Sequence, residues 1–69
     1  MSDVVDSSSC LKFFKKKQYS NAIDCFKKIN ENEPSYIDAW YNRGICYMKI
    51  KQFKDAIKCF DNVIELDYK

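Results

Sequence analysis

WYNRGICY at residues 40–47 and KQFKDAIKCF at residues 51–60 decide the fold of this chain. Apolar or small residues recur in both stretches at intervals of three and four, which is the spacing of one face of an α-helix. The apolar pattern breaks near Lys51 and Gln52, so we expect one helix on either side of this pair. The two stretches thus predict a helical hairpin in the second half of the chain.

The same pattern occurs a second time, 34 residues earlier. Residues 22–26, AIDCF, match residues 56–60, AIKCF, and residues 17–19, KQY, match residues 51–53, KQF. Self-similarity at a fixed lag of this size is typical of a repeat array, in which one helical hairpin buries its apolar face on the next. We therefore predict four helices, at about residues 3–16, 19–32, 36–50 and 53–67.

Helix-terminating residues lie between the second and third predicted helices. Pro34 is typical of the residues that follow a helix end, so we expect it to stop the second helix. Ser35 is expected to be the N-cap of the third helix, because its hydroxyl can accept a hydrogen bond from the first turn. Asp38 would then lie in that first turn, at the positive end of the helix dipole.

The second copy of the pattern resembles the signature of the tetratricopeptide repeat family. Residues 40–47 follow Trp-x-x-Arg-Gly-x-x-Tyr and residues 56–60 follow Ala-x-x-x-Phe, which are similar to the family's Trp-x-x-Leu-Gly-x-x-Tyr and Ala-x-x-x-Phe at a 34-residue period. The first copy carries matching small, aromatic and proline residues: Cys10, Phe13, Ala22, Phe26 and Pro34.

Several residues depart from the family pattern. Asp6, Arg43 and Tyr68 stand where the family has Trp, Leu and Pro. Lys17 and Lys51 stand at the turn between paired helices, where the family often has Gly. A left-handed lysine at that turn would cost on the order of 1 kcal/mol.

The resemblance implies an all-α fold of two helix-turn-helix repeats, whose four antiparallel helices stack as a short right-handed α-solenoid. Repeat one is expected at about residues 3–36 and repeat two at about residues 37–69. Together they would form a single domain over residues 1–69, either whole or as a fragment of a longer array.

Composition excludes several classes of function. The 69 residues include 12 basic and 10 acidic ones, for a net charge of +2, and the lysines alternate with Asp24, Asp55 and Asp61, so we expect no nucleic-acid binding. The chain has neither a segment apolar enough to span a bilayer nor a signal peptide, so we expect no membrane role and a soluble, cytoplasmic protein. Without His, a Gly-rich loop or a nucleophile paired with a base, we expect no enzyme activity and no cofactor.

Four cysteines leave a metal site or two disulfides to be considered. Cys10, Cys25, Cys46 and Cys59 include no Cys-x-x-Cys pair, and no His completes a mixed zinc site. We therefore expect no bound metal. Because no secretory signal is present, we expect the thiols to stay reduced and to pack as small apolar residues.

The resemblance implies that the first helix of each repeat lines a concave groove that binds a protein or peptide. The groove would have an apolar floor and a basic edge, which suits an extended or helical segment with apolar anchors and an acidic group. The alternative is that its apolar residues belong to the packing between the repeats. The predicted groove residues are Leu11, Phe14, Lys15, Asp38, Tyr41, Asn42, Ile45, Met48 and Lys49, with Val4 and Ser7 at its start.

Asn42 raises the narrower hypothesis of a carboxylate clamp. In the tetratricopeptide domains that bind the C-terminal carboxylate of chaperones, an Asn at this slot forms part of the clamp. The clamp's first repeat also carries a Lys and an Asn, and those slots here hold Ser7 and Leu11. A lone Asn competes poorly with water for a carboxylate, so a co-chaperone-type role is only a minor alternative.

The outer face of the fourth helix suggests a second kind of function, self-association. Solenoid ends normally need a polar capping helix, and none follows the fourth helix. Ile57, Phe60 and Ile64 would then form an exposed assembly face. We expect the chain to form a homodimer or to pack end to end through this face, unless a neighbouring repeat covers it.

Overall fold

The computed structural model describes residues 7–68, apart from the side chain of Tyr68. Its helices are α1 (Ser7–Lys15), α2 (Tyr19–Asn32), α3 (Ile37–Lys49) and α4 (Phe53–Tyr68). All four predicted helices are confirmed, and each end that falls in the described range lies within one residue of its predicted position. The predicted start of the first helix at residue 3, together with Val4 and Asp6, lies outside the described residues.

The helices form two layers. Each helix packs against the next one in the chain, and α1 also contacts α3. The molecule measures 34 × 27 × 14 Å, and its thinnest dimension suits two layers of helices whose axes are about 8–10 Å apart. The first helix of each hairpin therefore forms one layer and the second helix the other, which is the arrangement of a helical-repeat solenoid.

One buried cluster joins the first three helices. Cys10 of α1, six residues of α2 and three of α3 are buried, and Asn30 is the only buried polar or charged residue among those described. The helical period brings these small and apolar residues to one face of each helix. The buried residues of α2 and α3 are Ala22, Ile23, Cys25, Phe26, Ile29, Asn30, Ala39, Gly44 and Cys46.

The two hairpins turn in the same way. Lys17 and Lys51 have φ angles of 62° and 65°, the left-handed values that the family pattern predicts for this slot. The N–H of Gln18 donates to the carbonyl of Phe13 at 2.9 Å, and the equivalent bond between Gln52 and Tyr47 measures 2.8 Å. The 34-residue lag thus extends from the sequence to the backbone hydrogen bonds.

The start of α3 differs from the prediction. Tyr36, not Ser35, is the N-cap residue, and no side chain caps the helix. The prediction for Ser35 is wrong because the tertiary bonds of the loop fix its backbone instead. The Trp40 indole N–H donates to the carbonyl of Pro34 at 2.7 Å, and the Asn30 amide donates to the carbonyl of Tyr36 at 3.2 Å. Asp38 does lie in the first turn of α3, as predicted.

A disulfide between Cys10 and Cys25 links α1 to α2. The prediction that all four cysteines stay reduced is therefore wrong for this pair, while Cys46 and Cys59 are free thiols. Close crossing of the two helices brings the Cα atoms to 5.4 Å, within the range that a disulfide spans. Cys10 is also the only buried residue of α1 within the described range, so the bond fastens a helix that otherwise buries little.

Replacing Lys51 by Gly should raise the free energy of unfolding by about 0.5–1 kcal/mol. Removing the left-handed strain returns about 1–2 kcal/mol, and the greater freedom of glycine in the unfolded chain offsets part of it. Thermal or denaturant unfolding measures the change, with Lys28→Gly within α2 as the matched control. The control should lose about 1 kcal/mol, since its backbone is helical; equal losses in both variants would contradict the prediction.

Reduction of the Cys10–Cys25 bond should lower the free energy of unfolding by about 3 kcal/mol, the chain-entropy value for a closed loop of 15 residues. Denaturant unfolding with and without a thiol reductant measures this loss. The loss of stability on adding reductant should remain when Cys46 and Cys59 are both replaced by Ala. It should disappear when Cys10 and Cys25 are both replaced by Ala. A wild-type chain whose stability ignores the reductant would show that the bond contributes nothing.

Candidate functional site

The α3 half of the predicted groove forms one accessible stripe. At 100° per residue, its six positions fall on the side of α3 opposite Trp40, Arg43 and Tyr47. Tyr41 and Met48 are each 49% exposed. Of the other predicted residues, Asp38 and Lys49 are exposed, and Asn42 and Ile45 are half-buried.

The α1 half of the predicted groove is more deeply packed. Leu11 and Phe14 are half-buried against the core cluster, and only Lys15 is exposed. The Phe14 ring meets the Tyr19 ring edge-on, with 5.5 Å between centroids. α1 also contacts α3, but Leu11 and Phe14 offer little free surface. The Ser7 hydroxyl lies 3.1 Å from the Tyr36 hydroxyl.

Asn42 is engaged within its own helix. Its side-chain amide donates a hydrogen bond to the carbonyl of Asp38, one turn earlier, at 2.8 Å. Such a bond competes with any ligand for the amide protons. The two other clamp slots hold Ser7 and Leu11, neither of which carries the charge of the Lys or the amide of the Asn that the clamp uses in its first repeat.

A polar cluster between α2 and α3 was not predicted from the sequence. Arg43 donates to the side-chain oxygen of Asn30 at 3.0 Å, and its guanidinium carbon lies 4.3 Å from the centre of the Trp40 ring. The Nε of Arg43 is buried without a hydrogen-bond partner. These residues, with Lys27 and Glu31, line an open pocket of about 230 Å³. Arg43 in the Leu slot was the one sequence signal that could have pointed to this cluster.

A second, larger pocket of about 380 Å³ lies between α1 and α2. Its surface is mostly apolar and includes Phe13 and Cys25, with Asp24 and Lys28 among its lining residues. Cys25 is held in the disulfide, so this pocket presents no free thiol.

The two free cysteines are protected from ionisation. Burial raises the pKa of the Cys46 thiol to about 11, and the neighbouring Cys59 adds to the rise. Burial also raises the pKa of Cys59, although Arg43 acts in the opposite direction. Because the thiolate is the nucleophile and the metal ligand, neither cysteine is prepared for such chemistry at neutral pH.

The predicted assembly face divides into exposed and packed parts. Ile57 and Ile64 are 58% and 64% exposed, and Phe53 at the start of α4 is 53% exposed. Phe60 is half-buried, because its ring lies over the Cα of Gly44 and stands 6.0 Å from the Tyr41 ring. A Cβ at Gly44 would come within 2.6 Å of the Phe60 ring, so the glycine makes room for it.

Two further findings concern residues 7–68 alone. This part of the chain contains no group of three or more Cys, Asp or Glu side chains that could hold a metal ion. It also contains no helix long and apolar enough to cross a bilayer.

Replacing Asn30 by Ala should lower the free energy of unfolding by about 1–3 kcal/mol. The change leaves the Tyr36 carbonyl and the Arg43 guanidinium without their partner in a buried setting. The control is Asn32→Ala, an exposed position at the end of the same helix, which should shift stability by no more than about 0.5 kcal/mol. Equal effects of the two changes in denaturant unfolding would show that the Asn30 amide is dispensable.

Comparison with known families identifies the second hairpin. The family model of the tetratricopeptide repeat matches residues 37–67, which comprise α3 and nearly all of α4. No curated protein and no solved structure matches the chain. Repeats of this family are interaction modules that bind protein partners. Residues 37–67 thus match the tetratricopeptide repeat family, and the four helices of the described chain fit such a repeat.

Proposed function

We propose that the chain is a protein-interaction module that binds a peptide or a helix of a partner in the groove formed by α1 and α3. The observation that carries this proposal is the α3 stripe, where Tyr41 and Met48 leave about half of their surfaces uncovered. Aromatic residues are enriched at protein interfaces because they bury large areas with few rotatable bonds, and methionine because its flexible side chain adapts to irregular surfaces. An apolar stripe on the free side of a first helix is where a solenoid of this kind presents its binding surface.

The charges around the groove favour one type of ligand. Lys15 and Lys49 are exposed at the same end of their helices, and Asp38 lies at the opposite end of α3. A segment with apolar anchors and an acidic residue near the lysines would match both features. We place the groove, with its floor of Leu11 and Phe14, in a single domain made of both hairpins, whether or not further repeats adjoin it.

A carboxylate clamp receives less support. The Asn42 amide already donates to the Asp38 carbonyl, and no lysine replaces the missing partner at the Ser7 slot. Binding of a peptide with a free acidic C-terminus that depends on Asn42 would revive this alternative.

Self-association is a second candidate function, because Ile57 and Ile64 are the two most exposed large apolar residues of the described chain. Exposed apolar surface of this kind is typical of contact sites between proteins. What binds this α4 surface does not depend on what binds the groove, since the two surfaces lie in different helix layers.

Peptides selected from a random library against the chain should bind the groove. We expect Tyr41→Ser and Met48→Ser each to weaken a selected peptide about tenfold, the loss of one well-buried contact. Phe53→Ser, which removes a similarly exposed apolar side chain from α4, is the matched control and should leave affinity unchanged. Fluorescence anisotropy gives the dissociation constants. Selected peptides whose affinity is the same for the wild type and for both groove variants would refute the proposal.

A further inference from the structure

The repeat itself shows how much of α4 lacks a cover. Thirty-four residues before Ile57 and Ile64 stand Ile23 and Asn30, which occupy the same places on α2. Ile23 and Asn30 are each 5% exposed on a helix that packs against both α1 and α3, whereas Ile57 and Ile64 are 58% and 64% exposed. The outer side of α4 is therefore an interface position of the repeat without an occupant within the described chain.

End-to-end stacking does not supply that occupant. A second copy would have to offer α1 in the place of α3, with Ser9, Lys12 and Lys16 where α3 has Arg43, Cys46 and the following Ile50. The α1 side is polar and exposed at all three of these positions. Lys12 and Lys16 would then face Ile57 and Ile64, and the cost of desolvating two lysines can exceed what pairing with Asp61 or Glu65 returns.

The charged residues beside the apolar stripe are arranged in two blocks. Lys54 and Lys58 lie in the first half of α4, and Asp61 and Glu65 in the second half. All four are exposed, and on a helical projection they fall within about 60° of one another, along one edge of the Ile57–Ile64 stripe. None of the four has an ion-pair partner within the described chain.

This pattern is complementary to itself when α4 is reversed. In an antiparallel pair related by a two-fold axis, the same edges of the two helices meet and the sequence runs in opposite directions. With the axis near residues 59–61, Ile57 of one copy lies beside Ile64 of the other. In the same register Lys58 lies beside Asp61, and Lys54 beside Glu65, so each contact occurs twice.

We propose that the outer face of α4 binds a second copy of this chain, as an antiparallel two-fold pair in which Lys54 and Lys58 face Glu65 and Asp61. This inference deepens the self-association candidate and does not depend on the groove. An isologous contact closes on itself, so the assembly stops at a dimer. The contact is one helix wide, about 24 Å long at 1.5 Å per residue, which places it at the small and reversible end of protein interfaces.

Sedimentation equilibrium of the full chain over a wide concentration range tests the dimer. The mass should rise with concentration and level off at twice that of one chain, and Ile57→Lys should abolish the rise. Ile64→Lys is the second variant, and circular dichroism should show unchanged helicity for both because the two side chains are exposed. A single-chain mass at every concentration, or growth beyond the dimer, would overturn the proposal.

Charge exchange tests the register. Lys58→Glu places two acids together at both symmetric contacts and should weaken the dimer about three- to tenfold. Adding Asp61→Lys in the same chain restores opposite charges and should recover the affinity. Adding Glu65→Lys instead gives the same net charge, but the new lysine lies opposite Lys54 of the other copy. This second change should therefore not restore the affinity of the dimer. Equal recovery by both second changes would rule out the antiparallel register.

The groove serves as an independent readout. A peptide that binds through Tyr41 and Met48 should bind the Ile57→Lys chain as tightly as the wild type. A variant that no longer dimerises but still binds the peptide shows that the two surfaces are separate. If the wild-type chain dimerises but binds no such peptide, only the groove proposal is contradicted.

Discussion

The amide of Asn30 is the interaction on which the relation between the two hairpins depends. It is 5% exposed and uses both ends of its side chain, donating to the Tyr36 carbonyl and accepting from the Arg43 guanidinium. The first bond fixes the loop that leads into α3, and the second fixes the rotation of α3 about its own axis. A buried polar group is tolerated only when its partners are in place, so this amide disfavours other registers of α3 on α2.

From this contact the orientation of the groove follows. With Arg43 and Trp40 turned towards α2, the helical period carries Tyr41, Ile45 and Met48 to the opposite, open side of α3. The exposed stripe is thus a geometric consequence of the buried one, and the polar cluster lies on the other side of α3 from the proposed ligand surface. On α4 the position equivalent to Asn30 holds Ile64, so this helix offers an apolar side chain there and no amide hydrogen bonds.

Helix positions and turns were predictable because they depend on local periodicity and on the 34-residue lag. The left-handed lysines followed from the family pattern, since the turn geometry is the same whichever residue occupies it.

The Asn30 cluster and the N-cap at Tyr36 were not predictable, because both depend on partners up to thirteen residues away in sequence. The Cys10–Cys25 bond was not predicted, because the lack of a secretory signal favoured reduced thiols and the sequence alone does not show that helix crossing brings these two residues, 15 apart, together. The partial burial of Phe60 depends on Gly44 across the hairpin, which a projection of α4 alone does not show.

The disulfide and the α4 face both bear on how much surface the described helices bury. A domain of about 60 residues buries only about 60% of the surface that its unfolded chain exposes, and such domains usually rely on cross-links or partners. At the first hairpin, Cys10 is the one buried residue of α1 in the described range, and the disulfide stabilises the contact of this helix with α2. At the second hairpin the corresponding slots hold Gly44 and Cys59, which cannot form a bond, and the apolar surface lies outside, on Ile57 and Ile64. The two hairpins therefore differ: the first is cross-linked within the chain, and the second leaves apolar surface exposed on α4.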